Sequence, residues 1–239
     1  MEPPIDLSSL QKLNERKSSD SQYRIMDETN DFIVVYKLNG LPVQVTDSDA
    51  DNLERILNDR YKQKLYVLNR IDQPVSGLVI FGRNAEFSAA FTELLKTREV
   101  KKTYLALVAG NPEKGPVEVK HYIKKLHNRA MTADEPLDEN YKEAILVYER
   151  LQSFDHYHLL KIDLKTGRFH QIRAQLATLE MPIKGDLKYG SKRPNLDRSI
   201  GLVSFRLSFN HPITGESFSY EAPLPDNDIL WRLVDKSGL

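Results

Sequence analysis

The spacing of apolar and polar residues divides the chain into strand-like and helix-like segments. Asp31-Phe32-Ile33-Val34-Val35-Tyr36-Lys37 is a β-rich run that stops at Asn39-Gly40, with Leu41-Pro42-Val43 after it. Leu53, Ile56 and Leu57 recur at helical spacing. Leu65–Leu68 and Leu78–Phe81 read as two strands bracketing a polar loop around Asp72. The strongest helical stripe is Phe87, Ala90, Phe91, Leu94 and Leu95, with Asn84 placed to cap it. Further strands are predicted at Thr103–Val108, Val117–Ile123, Ala144–Leu151 and His158–Leu164, and residues 124–141 read as a surface excursion. A hairpin follows, with strands at Val203–Phe209 and Ser217–Glu221 joined through Pro212-Ile213-Thr214-Gly215. Residues 1–21 are polar, lack periodicity and read as an N-terminal arm, which leaves 22–239 as one domain. Strands outnumber helices and several are joined by short loops. The expected class is α+β, a mixed and largely antiparallel sheet decorated by helices.

One predicted helix carries more polar chemistry than packing needs. Thr166-Gly167-Arg168-Phe169-His170-Gln171-Ile172-Arg173-Ala174-Gln175-Leu176-Ala177 follows the strand ending at Leu164. Thr166 is placed to cap it, with the following amides directed at an anion. Phe169, Ile172, Leu176 and Leu179 form its expected buried stripe, and His170 and Arg173, three apart, share a neighbouring face. A guanidinium at the edge of a core needs a carboxylate or phosphate, because unpaired burial is costly. The loop Asn69-Arg70-Ile71-Asp72-Gln73-Pro74-Val75-Ser76-Gly77 supplies Asp72 as the expected partner of Arg173, and Pro74 and Gly77 fix the turn that presents it. An arginine beside an aspartate lowers its pKa by ~1–3 units. Such a carboxylate is suited to be a nucleophile or a base rather than a general acid. On the strand Thr103–Val108, alternation puts Lys102, Tyr104 and Ala106 on one face, where the tyrosine can stack on a nucleobase or move a proton.

Composition narrows the classes of function. The 239 residues are 40% hydrophobic and 28% charged, as in ordinary globular proteins, and no run of apolar residues is long enough to span a membrane. The first residues, Met1-Glu2-Pro3-Pro4-Ile5-Asp6, do not resemble a signal sequence. There is no cysteine, so disulfides and thiolate metal sites are excluded, and a reducing cytoplasmic setting is expected. His156 and His158 lack a third ligand at metal spacing, and no glycine-rich phosphate loop is present, so neither metal nor nucleotide cofactor is indicated. The 34 basic and 34 acidic residues cancel, but they are sorted. Three cationic groups, Lys96-Arg98-Lys101-Lys102, Lys120-Lys124-Lys125-Arg129 and Lys184-Lys188-Lys192-Arg193, flank the chemical segments and point to a basic groove.

These segments resemble those of the RluA branch of the pseudouridine synthases. Asn69–Gly77 is similar to the family pattern HRLDxxTSG, Thr166–Ala177 to TGRxHQIRxxLA, Pro182–Gly190 to PIxGDxxYG and Lys102–Val108 to KxYxALV. Weaker similarity covers Asp31–Val43, Lys142–Tyr148, and Ser208–Pro212 with Pro223–Pro225. The resemblance implies a long, bent, mainly antiparallel sheet with flanking helices and a basic cleft, and the isomerisation of uridine in RNA without a cofactor. It implies Asp72 as the catalytic aspartate, Tyr104 as the active-site tyrosine and Arg173 as the aspartate's partner. Asn69, Arg70, Lys102, Arg168, His170 and Gln171 are the expected substrate contacts, ribosomal or transfer RNA the expected partner, and a monomer the expected state. Asn69 stands where the family usually has His, Pro74-Val75 where Thr precedes the serine, Gln175 for a frequent His and Glu180 for a frequent Gly. Two other readings use the same residues: a non-catalytic RNA-binding or RNA-folding factor, and a hydrolase of N-glycosidic bonds.

Overall fold

The computed structural model describes residues 22–44 and 51–239; the arm expected at 1–21 lies outside them. Eleven strands join in one sheet. They are β1 (Tyr23–Glu28), β2 (Phe32–Lys37), β3 (Tyr66–Val67), β4 (Ser76–Gly82), β5 (Lys101–Val108), β6 (Val117–Leu126), β7 (Arg129–Ala133), β8 (Lys142–Ser153), β9 (His158–Leu164), β10 (Leu202–Asn210) and β11 (Ser217–Glu221). The main path runs β1-β2-β4-β10-β5-β9-β8-β6-β7, with β3 added to β4 and β11 added to β10. Every pairing is antiparallel except β4 with β10. Among the described residues the helices are α1 (Leu53–Tyr61), α2 (Ala85–Lys96), α3 (Gln171–Thr178) and α4 (Ile229–Arg232), with two short 3₁₀ turns at Leu187–Tyr189 and Lys236–Gly238. Among the described residues no helix is long and apolar enough to cross a membrane.

Burial explains why the central strands read as unbroken apolar runs. β2 and β4 are buried at every position, because both faces of the sheet are covered there. One face holds the cluster that includes Ile33, Val79, Leu160 and Leu53 of α1. The other packs Phe32 against Phe87 of α2, their centroids 5.3 Å apart, and extends to Phe209 and Trp231. The α2 stripe is anchored as its spacing predicts: Phe87 and Phe91 are fully buried, and Asn84 Oδ1 accepts the Phe87 N–H at 2.8 Å. A third, smaller cluster lies where α3 meets β6 and β7. Strand β8 alternates instead, burying Ala144, Leu146 and Tyr148 and turning the residues between them outward.

The sheet forks at β4. Ser76 and Gly77, at its start, pair with Val203 and Ser204 of β10, while Phe81 and Gly82, at its end, pair with Val67 and Tyr66 of β3. The loop between β3 and β4 therefore leaves the sheet plane beside the place where β10 passes to β5. Strand β10 is the hinge of this arrangement, since Ser204 faces Gly77 on one side and Tyr104 on the other. Gly77 has φ +129°, and a Cβ there would lie 2.4 Å from the Ser204 carbonyl oxygen. Only glycine lets the two strands approach this closely.

Four expectations are corrected. Residues 124–141 are not only a surface excursion: β6 runs on to Leu126 and β7 returns along it as a hairpin, its cationic outer positions having masked the strand pattern. Thr166 does not cap a helix, because its hydroxyl accepts the Ile145 N–H and donates to Gln171 Oε1. The helix starts instead at Gln171, after His170 in a left-handed conformation (φ 51°). The stripe is correspondingly shorter: Ile172 and Leu176 are buried, Phe169 precedes the helix and Leu179 is exposed. Strand β1 has no counterpart among the predicted strands, because its run Tyr23–Glu28 mixes three apolar with three charged residues without strict alternation and buries only one position fully. Replacing Gly77 by alanine is expected to destabilise the protein by about 2–5 kcal/mol, through overpacking and backbone strain together. The shift in urea midpoint measures it, and a change under about 1 kcal/mol would contradict the close approach of β4 and β10.

Candidate active site

A cleft of about 1350 Å³ opens at the fork, and most of the singled-out residues line it. One wall is the β3–β4 loop, from Val67 to Pro74; the opposite wall is Leu164 to His170 with Arg173; Lys102 and Tyr104 of β5 complete it. The β3–β4 loop is held by local hydrogen bonds. Val75 N–H donates to the Asp72 carbonyl at 3.0 Å, and Gly40 N–H donates to the Gln73 carbonyl at 2.8 Å while Gln73 Nε2 returns a bond to the Gly40 carbonyl. Lys37, fully buried at the end of β2, donates from Nζ to the carbonyls of Leu38 and Gln73. Burial lowers its pKa to about 7, with the nearby Asp72 charge opposing the fall.

Arg173 stands at the centre. Its Nη1 donates to Asp72 Oδ2 at 2.8 Å, while Nε and Nη2 form a two-pronged bond to the carboxylate of Asp186 at 2.6 and 2.9 Å. Arg173 and Asp186 are almost wholly buried, at 5% and 1% exposure, whereas Asp72 keeps 25% and faces the cleft. Burial alone would discourage the guanidinium charge, but the two carboxylates, Asp186 foremost, outweigh it and raise the pKa. Asp186 thus fixes the arginine from behind and leaves one N–H edge for Asp72. The guanidinium also lies over the Tyr189 ring, 5.0 Å from its centroid.

Tyr189 and His170 form the adjoining layer. The Tyr189 hydroxyl accepts the Ala130 N–H at 2.7 Å and lies 2.9 Å from His170 Nδ1. On the other edge of the imidazole, His170 Nε2 lies 3.6 Å from Asp72 Oδ2. The ring is stacked on Phe169 with centroids 3.8 Å apart. Burial lowers the His170 pKa to about 4, against the pull of Asp72. On the other side of Asp72, burial pushes the Tyr104 phenol up to about 12, with a hydrogen bond to Ser204 opposing the rise and the Asp72 charge adding to it. Lys102, half-buried at the cleft edge, has its pKa lowered by burial.

The structure brings Asp72, Tyr104 and Arg173 together as expected, but distributes the other candidates differently. Arg70 and Arg168 are exposed on the cleft walls, and Arg168 Nε donates to the Glu143 carbonyl. Asn69 lines the cleft, yet its side chain is occupied by β4, accepting the Ile80 N–H and donating to the Leu78 carbonyl. Gln171 is buried and fastens the loop before α3, its Oε1 accepting from Thr166 and the Arg168 N–H and its Nε2 donating to Ile145. The cationic groups also divide: Lys96, Arg98, Lys102, Lys125 and Lys188 line the cleft, Lys96 and Arg98 while also paired with Glu93 and Glu143, whereas Lys120 and Lys124, outside the lining, pair with Glu143 and Asp138. Lys184 turns inward to Asn195 and Asp228. Sequence reasoning did not assign roles to Asp186, Tyr189 or Lys37. The first two lie in the segment Pro182–Gly190, which was singled out only as a motif; Lys37 ends an apolar run with no polar pattern to mark it.

A family profile described as RNA pseudouridylate synthase matches residues 31–178. Ribosomal large subunit pseudouridine synthase C of Rickettsia felis is 31% identical over 215 residues, covering 87% of this chain and 70% of the relative. Ribosomal large subunit pseudouridine synthase D is 27% identical in Vibrio cholerae, over 91% of this chain and 72% of the relative. The same-named protein of Nitrosomonas europaea is 29% identical, and this chain spans 62% of its length. The solved structure of human RNA pseudouridylate synthase domain containing 4 shares the fold, with a TM-score of 0.71 at 20% identity over 91% of this chain and 94% of that one.

Two outcomes follow from the geometry. Arg173→Ala leaves the buried Asp186 unpaired and is expected to cost about 3–5 kcal/mol of stability, whereas Asp72→Asn, with Arg173 still held by Asp186, costs about 1 kcal/mol or less. Chemical denaturation of both variants measures the difference, and equal losses would contradict the assigned hierarchy. His170 has a folded pKa of about 4 against an ordinary value of 6.5, so between these values the unfolded chain binds the proton and the folded chain does not. Its contribution to stability is therefore present above about pH 6.5 and lost as pH falls towards 4. His170→Gln is expected to flatten that part of the stability profile, measured by thermal melts from pH 4 to 7; an unchanged slope would place the acid sensitivity elsewhere.

Proposed function

The chain belongs to the RNA pseudouridylate synthase family, and we propose that it converts a specific uridine of structured RNA, ribosomal or transfer, to pseudouridine. The observation that carries this reading is the cleft-facing Asp72 carboxylate held by Arg173 with Tyr104 in the same pocket. Relatives named for the ribosomal large subunit favour ribosomal RNA as the substrate. The absence of cysteine fits a cytoplasmic setting, and we take a monomer to be sufficient, since the residues proposed for the chemistry all come from one chain.

The reaction breaks the bond between C1′ and N1 of uridine, turns the uracil and joins its C5 to C1′, with loss of the C5 proton. Asp72 acts at the sugar, as a nucleophile at C1′ or as a base at C2′; both roles need a carboxylate with a fixed direction, which the bond from Arg173 supplies. Tyr104 lies against the uracil and handles the C5 proton. Its pKa is raised chiefly by burial and further by the Asp72 charge, so covalent use of Asp72 removes one of the two causes at the stage when a base is needed. The target nucleotide must leave its stack to reach this pocket, which costs a few kcal/mol in a duplex and less in a loop. Arg70 and Arg168, exposed on opposite walls, hold the displaced strand, while Lys102 and the remaining cleft lysines meet its phosphates. His170 places its Nε2 edge beside Asp72; Asn69 and Gln171 act behind the surface, fixing β4 and the loop that presents Arg168.

RNA tritiated at uracil C5 tests this reading. Isomerisation releases tritium to water without free base; intact label favours the RNA-binding reading, and labelled free uracil favours hydrolysis. Asp72→Asn is expected to abolish release while leaving RNA affinity within a few-fold. Tyr104→Phe should slow release by about 10²–10⁴-fold, the usual contribution of a positioned acid or base. Full turnover by the Asp72 variant would refute its role.

A further inference from the structure

Three cations outside the cleft lie on the short segment between Gly190, which closes the first 3₁₀ turn, and β10. Lys192, Arg193 and Arg198 are exposed there, and Leu196 between them is as open to solvent as in an extended chain. The segment is nevertheless fixed at its base. Ser191 N–H donates to the Asp186 carbonyl and Ser191 Oγ accepts the Gly185 N–H; Lys184 Nζ holds Asn195 Oδ1 at 2.7 Å; Asp197 accepts from Asn39 and Asn227. The one acidic side chain of the segment is directed into these internal bonds, which leaves three cations against one carboxylate. The same contacts tie it to the reacting loop, since Ile200 N–H donates to the Pro74 carbonyl and Asn39 adjoins Gly40, which binds Gln73. Gln73 and Pro74 in turn line the cleft.

We propose that residues 191–198 form a second RNA-contact surface beside the cleft, with Lys192, Arg193 and Arg198 binding phosphates of the strand that flanks the displaced uridine and Leu196 packing on an unpaired base. The proposal rests on the RNA reading above and extends it to the context of the target. Three cations on a short anchored segment complement a phosphodiester backbone, whose phosphates recur along the strand. A leucine held in water at their centre gains an apolar partner only when a base is unstacked beside it. Because the base of the segment reaches Asp186 on one side and the Asp72 loop on the other, strand bound there is registered against the site of chemistry. This chain then selects uridines next to an unpaired base over uridines in continuous duplex.

The test compares wild type, a K192A/R193A/R198N variant and Leu196→Ser. Asparagine is chosen at 198 because Arg198 has φ 60°, a conformation asparagine tolerates. The probe is unmodified large-subunit ribosomal RNA transcript tritiated at uracil C5, with filter binding from 50 to 200 mM salt and tritium release on the same samples. Loss of three phosphate contacts should reduce the slope of log affinity against log salt by about 2–3 and weaken binding at least tenfold near 100 mM. Leu196→Ser should weaken binding several-fold with an unchanged slope. Wild-type affinity and slope in the triple variant would overturn the proposal. If wild type isomerises the RNA while the triple variant binds normally, this surface is wrong and the reaction stands. If the slope falls as expected but wild type releases no tritium, the surface stands and the reaction is wrong.

Discussion

The sharing of one guanidinium between two carboxylates governs the architecture of the site. Arg173 carries a charge that burial opposes, and it is tolerated because Asp186 takes two of its N–H groups in a planar fork. That leaves Nη1 aimed at Asp72, a residue far away in sequence and open to the cleft. The division of labour is physical: the fully buried carboxylate neutralises and orients, while the partly exposed one remains available to a substrate. Tyr189 completes the frame by lying under the guanidinium and fixing the His170 ring through its hydroxyl. The segment Pro182–Gly190 therefore holds the Arg173–Asp72 pair from behind, although it does not supply the carboxylate that faces the cleft.

The sheet makes this convergence possible. Asp72 lies on a loop leaving β3, Tyr104 on β5, Arg173 on α3 and Asp186 on a turn before β10. They meet because β10 pairs with β4 on one edge and β5 on the other. The unusual closeness of Gly77 to Ser204 is the local expression of that constraint. A fork in a continuous hydrogen-bonded sheet gives a rigid floor with open walls, which suits a large polymeric substrate better than a closed pocket does. The buried Lys37 belongs to the same support, bridging the end of β2 to the backbone of the Asp72 loop.

Charge is organised in the same way, by place rather than by sum. The zero net charge conceals cations that line the cleft, cations neutralised by nearby carboxylates and cations held outward on residues 191–198. Lys184 and Lys188 lie four residues apart, yet one turns inward to Asp228 and the other lines the cleft. A cationic run in a sequence does not reveal which of these fates each member meets, because that depends on carboxylates brought close by distant strands.

The sequence by itself determined the central strands and the α2 helix, though not β1 or β7, since unbroken apolar runs and a helical stripe with a capping asparagine are local signals that burial then satisfies. It also pointed to the pairing of Asp72 with Arg173, because a buried arginine demands an acidic partner. Only the tertiary structure decided that Arg173 answers to two carboxylates, that Gln171 and Asn69 turn inward while Arg168 and Arg70 stay on the walls, and that helix α3 begins five residues after Thr166. Each of these depends on hydrogen-bond partners supplied from elsewhere in the chain, such as Ile145, Ile80 and Asp186. A donor chooses among the acceptors that folding brings within reach, and linear spacing carries no record of that choice.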